Sequence, residues 1–561
     1  MKGDALSKIK HWTIRIAVAI GLFALAGFIA SRAIESYCNV TPPALEHTPH
    51  VAATMLEEKD GCRRIQNSYL KRQDGILRMY LEGNPYELGF NNGALSAPYV
   101  QAQEEELMGT VRRAIPSDSA FWLVRKLVIV RNRNLPSFVP AEYQAEIFGL
   151  SQGYPDPLPA LGPLYHRLLN YHAAHDISQS LIDSPLLGGC TSFAAWGGYT
   201  ADGHLLIGRN FDFDAGECFD KNKLVLRVKP EQGLGFLSVA WPGMVGTVTG
   251  INEAKIAVAI HAARSEAKRT IGTPVSLVLR QVMQYANSLQ QAEDIIRASA
   301  VFVSDSFLLA DGKTGEAIII EKTPAATVVR HPHDAHMVCA NHFVSDELKS
   351  DRANETYRIE GTSEPRLARM DELVRANAGK LTPQTAADIL RDTRLPGGVE
   401  VGIGNPAAIN PMIAVHSAII DVTEGIMWVS AGPHQLGAYV PFGLDAFEDP
   451  PGKAIIAADP ALTDGRYDRY VAAMKTLTRA EERMKHKDWA AAMPLLVEAE
   501  TAMPGYYRPA FLLAQVAMKT GDIPKAESYL QTASAQHPAY ASERKMIEDM
   551  QRRIATRKKT S

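Results

Sequence analysis

Three residues able to perform acyl chemistry stand in order in GGCTSFAAWGGYTADGHLLIGRNFDFD, residues 188–214: a thiol at Cys190 behind Gly188-Gly189, then Arg209, then Asp212. The glycine doublet lets the chain turn tightly at the bond before the thiol. A strand, a turn at Asp202-Gly203 and a second strand bring Arg209 and Asp212 back beside it. In such a site the thiol attacks the carbonyl of Gly189, the peptide becomes a thioester, and water hydrolyses it. This frees an α-amino group on Cys190 itself. An α-amine titrates near pH ~8 and a thiol near ~8.5, so the amine can act as general base toward its own side chain without a histidine. Taken singly, a lone cysteine reads as a small core hydrophobe and an Arg-x-x-Asp pair as a surface salt bridge. The expectation rests on the combination.

Cys190-Thr191, Asp202-Gly203 and Gly208-Arg209-Asn210-Phe211-Asp212 resemble the opening hairpin of the cysteine-type N-terminal-nucleophile family that includes acyl-coenzyme A:6-aminopenicillanate acyltransferase (the C45 peptidases), with choloylglycine hydrolase and acid ceramidase as relatives. GINEAKIAVAIH at 250–261 is similar to the family's Gly-x-Asn-Glu segment, and CANHF at 339–343 to its Asn-His-Phe strand. YLEGNPYELGFNNGA at 80–94 and AEIFGLSQG at 145–153 look like the acyltransferase propeptide, which implies that the segment before Cys190 is a small subunit. The resemblance implies Cys190 as nucleophile and, through its freed amine, base. Asp212 would hold that amine, Arg209 would favour the thiolate, and the Asn341 amide would donate to the oxyanion. Arg366 in SEPR is the choice for the family's distal arginine, with Arg352 as rival. Bile-salt hydrolases carry a second oxyanion asparagine after the GxNE segment. Here those places hold His261 and Ala262, so His261 is a candidate donor. No metal or organic cofactor is implied.

Other signals carry less. GLSQG at 149–153 satisfies the serine-hydrolase elbow pattern, but it follows a helical run and meets Tyr-Pro-Asp-Pro, where prolines prevent the helix an elbow must open. His331, His333 and His336 fall in a proline-bearing turn. His172, His175 and Asp176 fall before the nucleophile and read as packing residues, while DGKTGE at 311–316 reads as a hairpin turn. Cys218 and Cys339 read as core residues, and the five cysteines form no zinc spacing.

The elements that must position these residues change character along the chain. Residues 60–189 read as a mainly helical preface. After Cys190 come short β-rich runs such as KLVLRV, KIAVAIHAA, SFLLAD, EAIIIEK and AVHSAIIDV, with helical runs in separate stretches. That texture predicts an α+β fold, and with the resemblance a four-layer αββα catalytic domain over 190–450. Residues 488–506 and 522–540 superpose without gaps at an offset of 34, pairing Asp488 with Asp522, Leu496 with Leu530 and Pro504 with Pro538. This is the tetratricopeptide period, and it predicts helical-hairpin repeats over 466–556. Basic residues before the apolar run Ile16–Ala30 predict a signal anchor over 1–36 and a linker over 37–59, with the remainder outside the cytoplasm or exported in soluble form. Cys38 and Cys62 could then pair in a disulfide.

The expected function is a self-cleaving amidohydrolase or acyltransferase acting on a small acylated amide. Its partners would be its own cleaved small subunit (up to 189), the membrane through the N-terminal segment, and a protein at the repeats. With 59 basic and 62 acidic residues, no positive excess invites nucleic acid. Two rivals stand beside it: a non-catalytic anchored scaffold using the repeats, and a papain-like thiol hydrolase with His261 or His342 as base.

Overall fold

The computed structural model describes residues 31–34, 36–45, 56–181, 189–213 and 216–560. Four strands come first: β1 (Glu57–Lys59), β2 (Cys62–Ile65), β3 (Ser68–Gln73) and β4 (Ile76–Gly83). Asp60-Gly61 and Asp74-Gly75, all at positive φ, make the tight turns between β1 and β2 and between β3 and β4. The helices expected in the preface follow, at Pro85–Ala114, Asp118–Asn132, Ala141–Gly153, Leu164–His172 and Ala174–Leu181. Asn84 opens the first with a capping box closed by Glu87.

Then come β5 (Gly189–Ala195), β6 (Leu206–Asp212), β7 (Leu224–Pro230), β8 (Phe236–Ala240), β9 (Thr249–Asn252), β10 (Ile256–Ala263), β11 (Ser304–Asp311), β12 (Glu316–Lys322), β13 (Thr327–Arg330) and β14 (His336–Cys339). A short ribbon of β15 (Arg394–Leu395) and β16 (Val399–Glu400) precedes β17 (Ala414–Asp421), β18 (Ile426–Ser430) and β19 (Tyr439–Gly443). They form an eleven-stranded sheet in the order β1-β2-β3-β4-β7-β8-β9-β10-β11-β12-β13 and a six-stranded sheet in the order β14-β5-β6-β17-β18-β19. Neighbours run antiparallel except β4 and β7, which run parallel and so tie the preface into the large sheet.

Alternation along the strands sorts the apolar side chains into layers. Ala194, Ile207, Ala257, Ala259, Leu308 and Ile420 fill the space between the two sheets. Val258 and Leu309 face out of the large sheet, where Leu88, Ile147, Leu169 and Val278 of the covering helices meet them. Phe193, Ala195 and Ile419 face out of the small sheet toward Met370 and Val374 on helix Ser363–Ala376 and Ala387 on helix Pro383–Leu390. Helices therefore cover both outer faces, giving the four-layer αββα order.

Five helices at Arg466–Lys485, Trp489–Ala502, Tyr507–Thr520, Ile523–Ala535 and Ala541–Thr560 complete the chain. The 34-residue repeat is physical: Asp488 and Asp522 each cap a helix, accepting from Ala491 and Lys525 N–H, and Ala492, Leu496, Ala526 and Leu530 are buried at matching places. The tail does not stand apart. Ala407, Met412 and Leu436 of the catalytic body share its core, and the Asn405 amide donates to the His537 carbonyl at 3.2 Å.

The membrane anchor expected over 1–36 is corrected: among the described residues no helix is long and apolar enough to cross a membrane. Residues 1–30 of that expected span lie outside the described residues. The disulfide is not formed either, since Cys38 and Cys62 are both free. The preface also differs from its mainly helical expectation by β2, β3 and β4, which lead it, and β1 falls at the end of the expected linker.

Candidate active site

Cys190 sits at the start of β5, buried between two partner strands. On one side β6 pairs Gly189 with Asp212 and Ser192 with Arg209. On the other β14 pairs Cys339 with Ser192 and so delivers Asn341, two residues beyond its end, beside the thiol. The Asn341 carboxamide oxygen accepts the Cys190 N–H at 2.7 Å, and its amide donates to the Ala262 carbonyl at 2.9 Å. Asn341 is held in turn by its own N–H, which donates to Ser363 Oγ at 2.7 Å.

Arg366 closes the group from helix Ser363–Ala376. One guanidinium nitrogen donates to the Cys190 carbonyl at 2.7 Å and Thr191 Oγ1 at 2.6 Å, the other to the Asn341 oxygen at 2.8 Å. A Cβ on Gly189 would lie 2.5 Å from that second nitrogen, so glycine is what lets the arginine reach the chain here. Arg209 donates to the Val248 and Ile260 carbonyls at 2.6 and 2.5 Å, and its Nη2 lies 3.6 Å from Cys190 Sγ.

Burial dominates the electrostatics. It pushes the Cys190 thiol up, against the pull of Arg209. Asp212 has neither carboxylate oxygen hydrogen-bonded, and burial pushes it to about 7 although Arg366 and Arg209 oppose that. Burial holds His261 neutral, well below the ordinary imidazole range, and its Nε2 meets Ser192 Oγ at 2.8 Å.

Of the residues expected from sequence, Gly189, Cys190, Arg209, Asn341 and Arg366 come together, with Asp212 opposite Gly189. Arg352, the rival to Arg366, opens helix Arg352–Glu360 and lines a separate cavity. Two contacts add detail to the expected site. The Cys190 nitrogen, a peptide N–H, donates to Asn341, and neither oxygen of Asp212, expected to hold a freed α-amine, has a hydrogen-bond partner. His261 turns to Ser192 and not to the thiol.

Sequence reasoning missed Ser363 and gave Thr191 no role. Ser363 lies one helical turn before Arg366 and hence on the same face, a signal the spacing carried. GLSQG lies on helix Ala141–Gly153, where Gly149 and Gly153 let the helix cross Pro85–Ala114 at backbone contact: a Cβ would fall 2.1 Å from the Tyr86 carbonyl and 2.2 Å from that of Phe90. His172 accepts the Val245 N–H at 2.9 Å and lies 2.7 Å from the Leu168 carbonyl, a packing role. His336 pairs with Asp371. Asp202, His204 and Asp421 bring ligand atoms within 4.8 Å of one another at the far end of the hairpin, where His204 already bonds Asp421 at 2.9 Å.

Two sheets packed face to face between helices give the chain the αββα layering of the N-terminal-nucleophile hydrolase fold. Residues 199–397 match the family model of acyl-coenzyme A:6-aminopenicillanic acid acyl-transferase, and 483–546 match that of the tetratricopeptide repeat. The first match begins after Cys190 and spans Arg209, Asp212, Asn341 and Arg366. An uncharacterized protein of Archaeoglobus fulgidus is 28% identical over 312 residues, 49% of this chain and 52% of its own; the match thus spans about half that relative's length.

Solved structures are similar at lower identity. An N-acylethanolamine-hydrolyzing acid amidase ortholog of Caenorhabditis elegans is 16% identical, with 42% of this chain and 93% of that one covered and a TM-score of 0.32. Penicillin V acylase of Agrobacterium tumefaciens is 16% identical over 46% and 86%, TM-score 0.32. A conjugated bile acid hydrolase of Clostridium perfringens is 13% identical over 47% and 95%, TM-score 0.34.

Proposed function

We propose that the chain is a precursor that cuts itself between Gly189 and Cys190 and then hydrolyses or transfers the acyl group of a small linear amide through a thioester on Cys190. The observation that carries this reading is the Cys190 backbone nitrogen bonded to Asn341 with the thiol 3.6 Å from Arg209. In the first turn the Cys190 sulfur attacks the Gly189 carbonyl carbon, the C–N bond breaks as the nitrogen takes a proton, and water hydrolyses the thioester. Asp212, unpartnered and with a pKa of about 7, suits the base that accepts the thiol proton. Afterwards the freed α-amine takes that task for each new substrate and returns the proton to the leaving amine.

Asn341 has a second amide hydrogen beyond the one given to Ala262, and this hydrogen is the proposed oxyanion donor. Arg366 fixes the Cys190 carbonyl and the Asn341 oxygen, a positioning role. His261, neutral and turned to Ser192, is assigned to support of the hairpin. Match of residues 199–397 to an acyltransferase family model supports the acyl-transfer class. The repeat tail is a candidate protein-binding element, and the segment before Cys190 is the proposed small subunit.

Denaturing electrophoresis with terminal sequencing tests this. The expected result is a large fragment beginning at Cys190, absent from Cys190→Ala. An uncut chain that hydrolyses amides at full rate overturns the reading in favour of a thiol hydrolase with a histidine base.

A further inference from the structure

Helix Ala174–Leu181 is the last described helix before β5, and two of its side chains, one turn apart on the same face, tie it to the catalytic body. Asp176 accepts the Val275 N–H at 3.1 Å. Gln179 reaches further: its amide nitrogen donates to the Ala263 carbonyl and to the Ser304 carbonyl, both at 2.7 Å. Ala263 and Ser304 are the last pair of the β10–β11 ladder, so the amide spans the two strands where their pairing ends. Its oxygen is buried without a partner, and the two carbonyls therefore fix which way the amide faces. Glutamate at this place would set a carboxylate against two carbonyls, acceptor against acceptor.

This clamp lies one residue from the proposed oxyanion donor. Ala262 precedes Ala263, and the Ala262 carbonyl takes the Asn341 amide at 2.9 Å while the Asn341 oxygen takes the Cys190 N–H at 2.7 Å. Carbonyls of successive strand residues point to opposite sides, so Gln179 grips the end of β10 from one side and Asn341 takes its bearing from the other. A slack strand end would let the Ala262 carbonyl drift and carry the Asn341 amide with it. Misplacement of a reacting group by about 1 Å costs on the order of a hundredfold in rate.

We propose that Gln179 is a positioning residue, contributed by the preface, which fixes the end of β10 and through Ala262 the aim of the Asn341 amide. The inference rests on the acyl-transfer reading above. It gives the preface a part in every turnover: a cut after Gly189 puts Gln179 on the fragment without the thiol, and the site is complete only while the two fragments stay together.

Fragment formation by the full chain tests this without an added substrate. Gln179→Met keeps the length of the side chain and removes both donors, and cleavage is expected to slow about tenfold or more, measured well below the thermal midpoint of each chain. Gln179→Glu separates positioning from packing. Its protonated carboxyl keeps one donor and its carboxylate none, so its rate divided by the parent's is expected to climb about tenfold as pH falls from about 8 to about 5, while the same ratio for Gln179→Met stays flat. Asp176 on the same helix face, Asp305 after Ser304, Arg264 after Ala263, and Arg131, Glu266 and Arg352 in the cavity that Gln179 lines are common to parent and variants, and the ratio sets their own titration aside. Cleavage of Gln179→Met at the parent rate, or a flat ratio for Gln179→Glu, overturns the proposal; where Gln179→Met fails to fold, the Gln179→Glu ratio decides alone. If the parent yields no fragment, the acyl-transfer reading is lost, and hydrogen exchange on the uncut chain decides the clamp: faster exchange over 256–269 and 301–311 in Gln179→Met supports it and unchanged exchange overturns it.

Discussion

At the scale of single residues, the site is a set of buried charges held at unequal cost. Asp212 folds into a place that keeps its proton up to about pH 7, whereas its ordinary value is 3.8. Between those values the native state binds a proton that the unfolded state has released. Stability therefore falls as pH rises through this window, by roughly 4 kcal/mol at completion for a shift of about three units. Asp212→Asn in the uncut Cys190→Ala background is expected to flatten part of that decline, read as the urea midpoint against pH. Asp176 and Asp305 shift in the same direction and should leave a residual slope. A profile as steep as the parent's would remove Asp212 from the explanation.

Cys190 was legible because few side chains can make a nucleophile, while Arg209, Asp212 and Asn341 were singled out by the resemblance of the opening hairpin and of CANHF to a known family. Their partners were not legible. That Asn341 would present its oxygen to Cys190 depends on Ser363 and Arg366 reaching it from a helix, and no spacing along β14 records this.

At the scale of elements, β5 and helix Ser363–Ala376 must approach closely enough for Arg366 to bridge three groups. Gly189→Ala places a methyl 2.5 Å from the guanidinium, which must then shift from the groups it bridges. The expected outcome is a loss of about 1–3 kcal/mol in stability together with at least tenfold slower fragment formation, followed by calorimetry and a cleavage time course. Cleavage at the parent rate would show that Arg366 does not set the geometry. Strands such as KLVLRV and EAIIIEK were legible from their β-branched runs. The hairpins of residues 57–83 were overlooked because charged residues interrupt their apolar alternation, yet Asp60-Gly61 and Asp74-Gly75 are strong turn signals. The close crossing of helices Pro85–Ala114 and Ala141–Gly153 explains why a serine-elbow pattern occurs without an elbow: its glycines serve packing.

At the scale of the whole molecule, the tail and the body share one core through Ala407, Met412 and Leu436. The offset of 34 made the repeats legible, but their docking depends on surfaces of two distant segments and leaves no period. Removing residues 466–561 uncovers that core, and the shortened chain is expected to melt at a lower temperature or to aggregate. An unchanged thermal midpoint would mean the tail is an independent arm.

The parallel pairing of β4 with β7 reaches further than the fold. A chain cut after Gly189 keeps β4 inside a sheet made mostly by the other fragment, so the cut severs a bond without separating the pieces. What changes is the way back from denaturation. The uncut chain refolds as one body at any dilution, whereas two fragments must first meet, and their recovery depends on concentration. If the proposed cut occurs, it would be a one-way step on this scaffold: the cut form would be assembled once, as a single chain, and dilution after unfolding would slow the return of its two fragments.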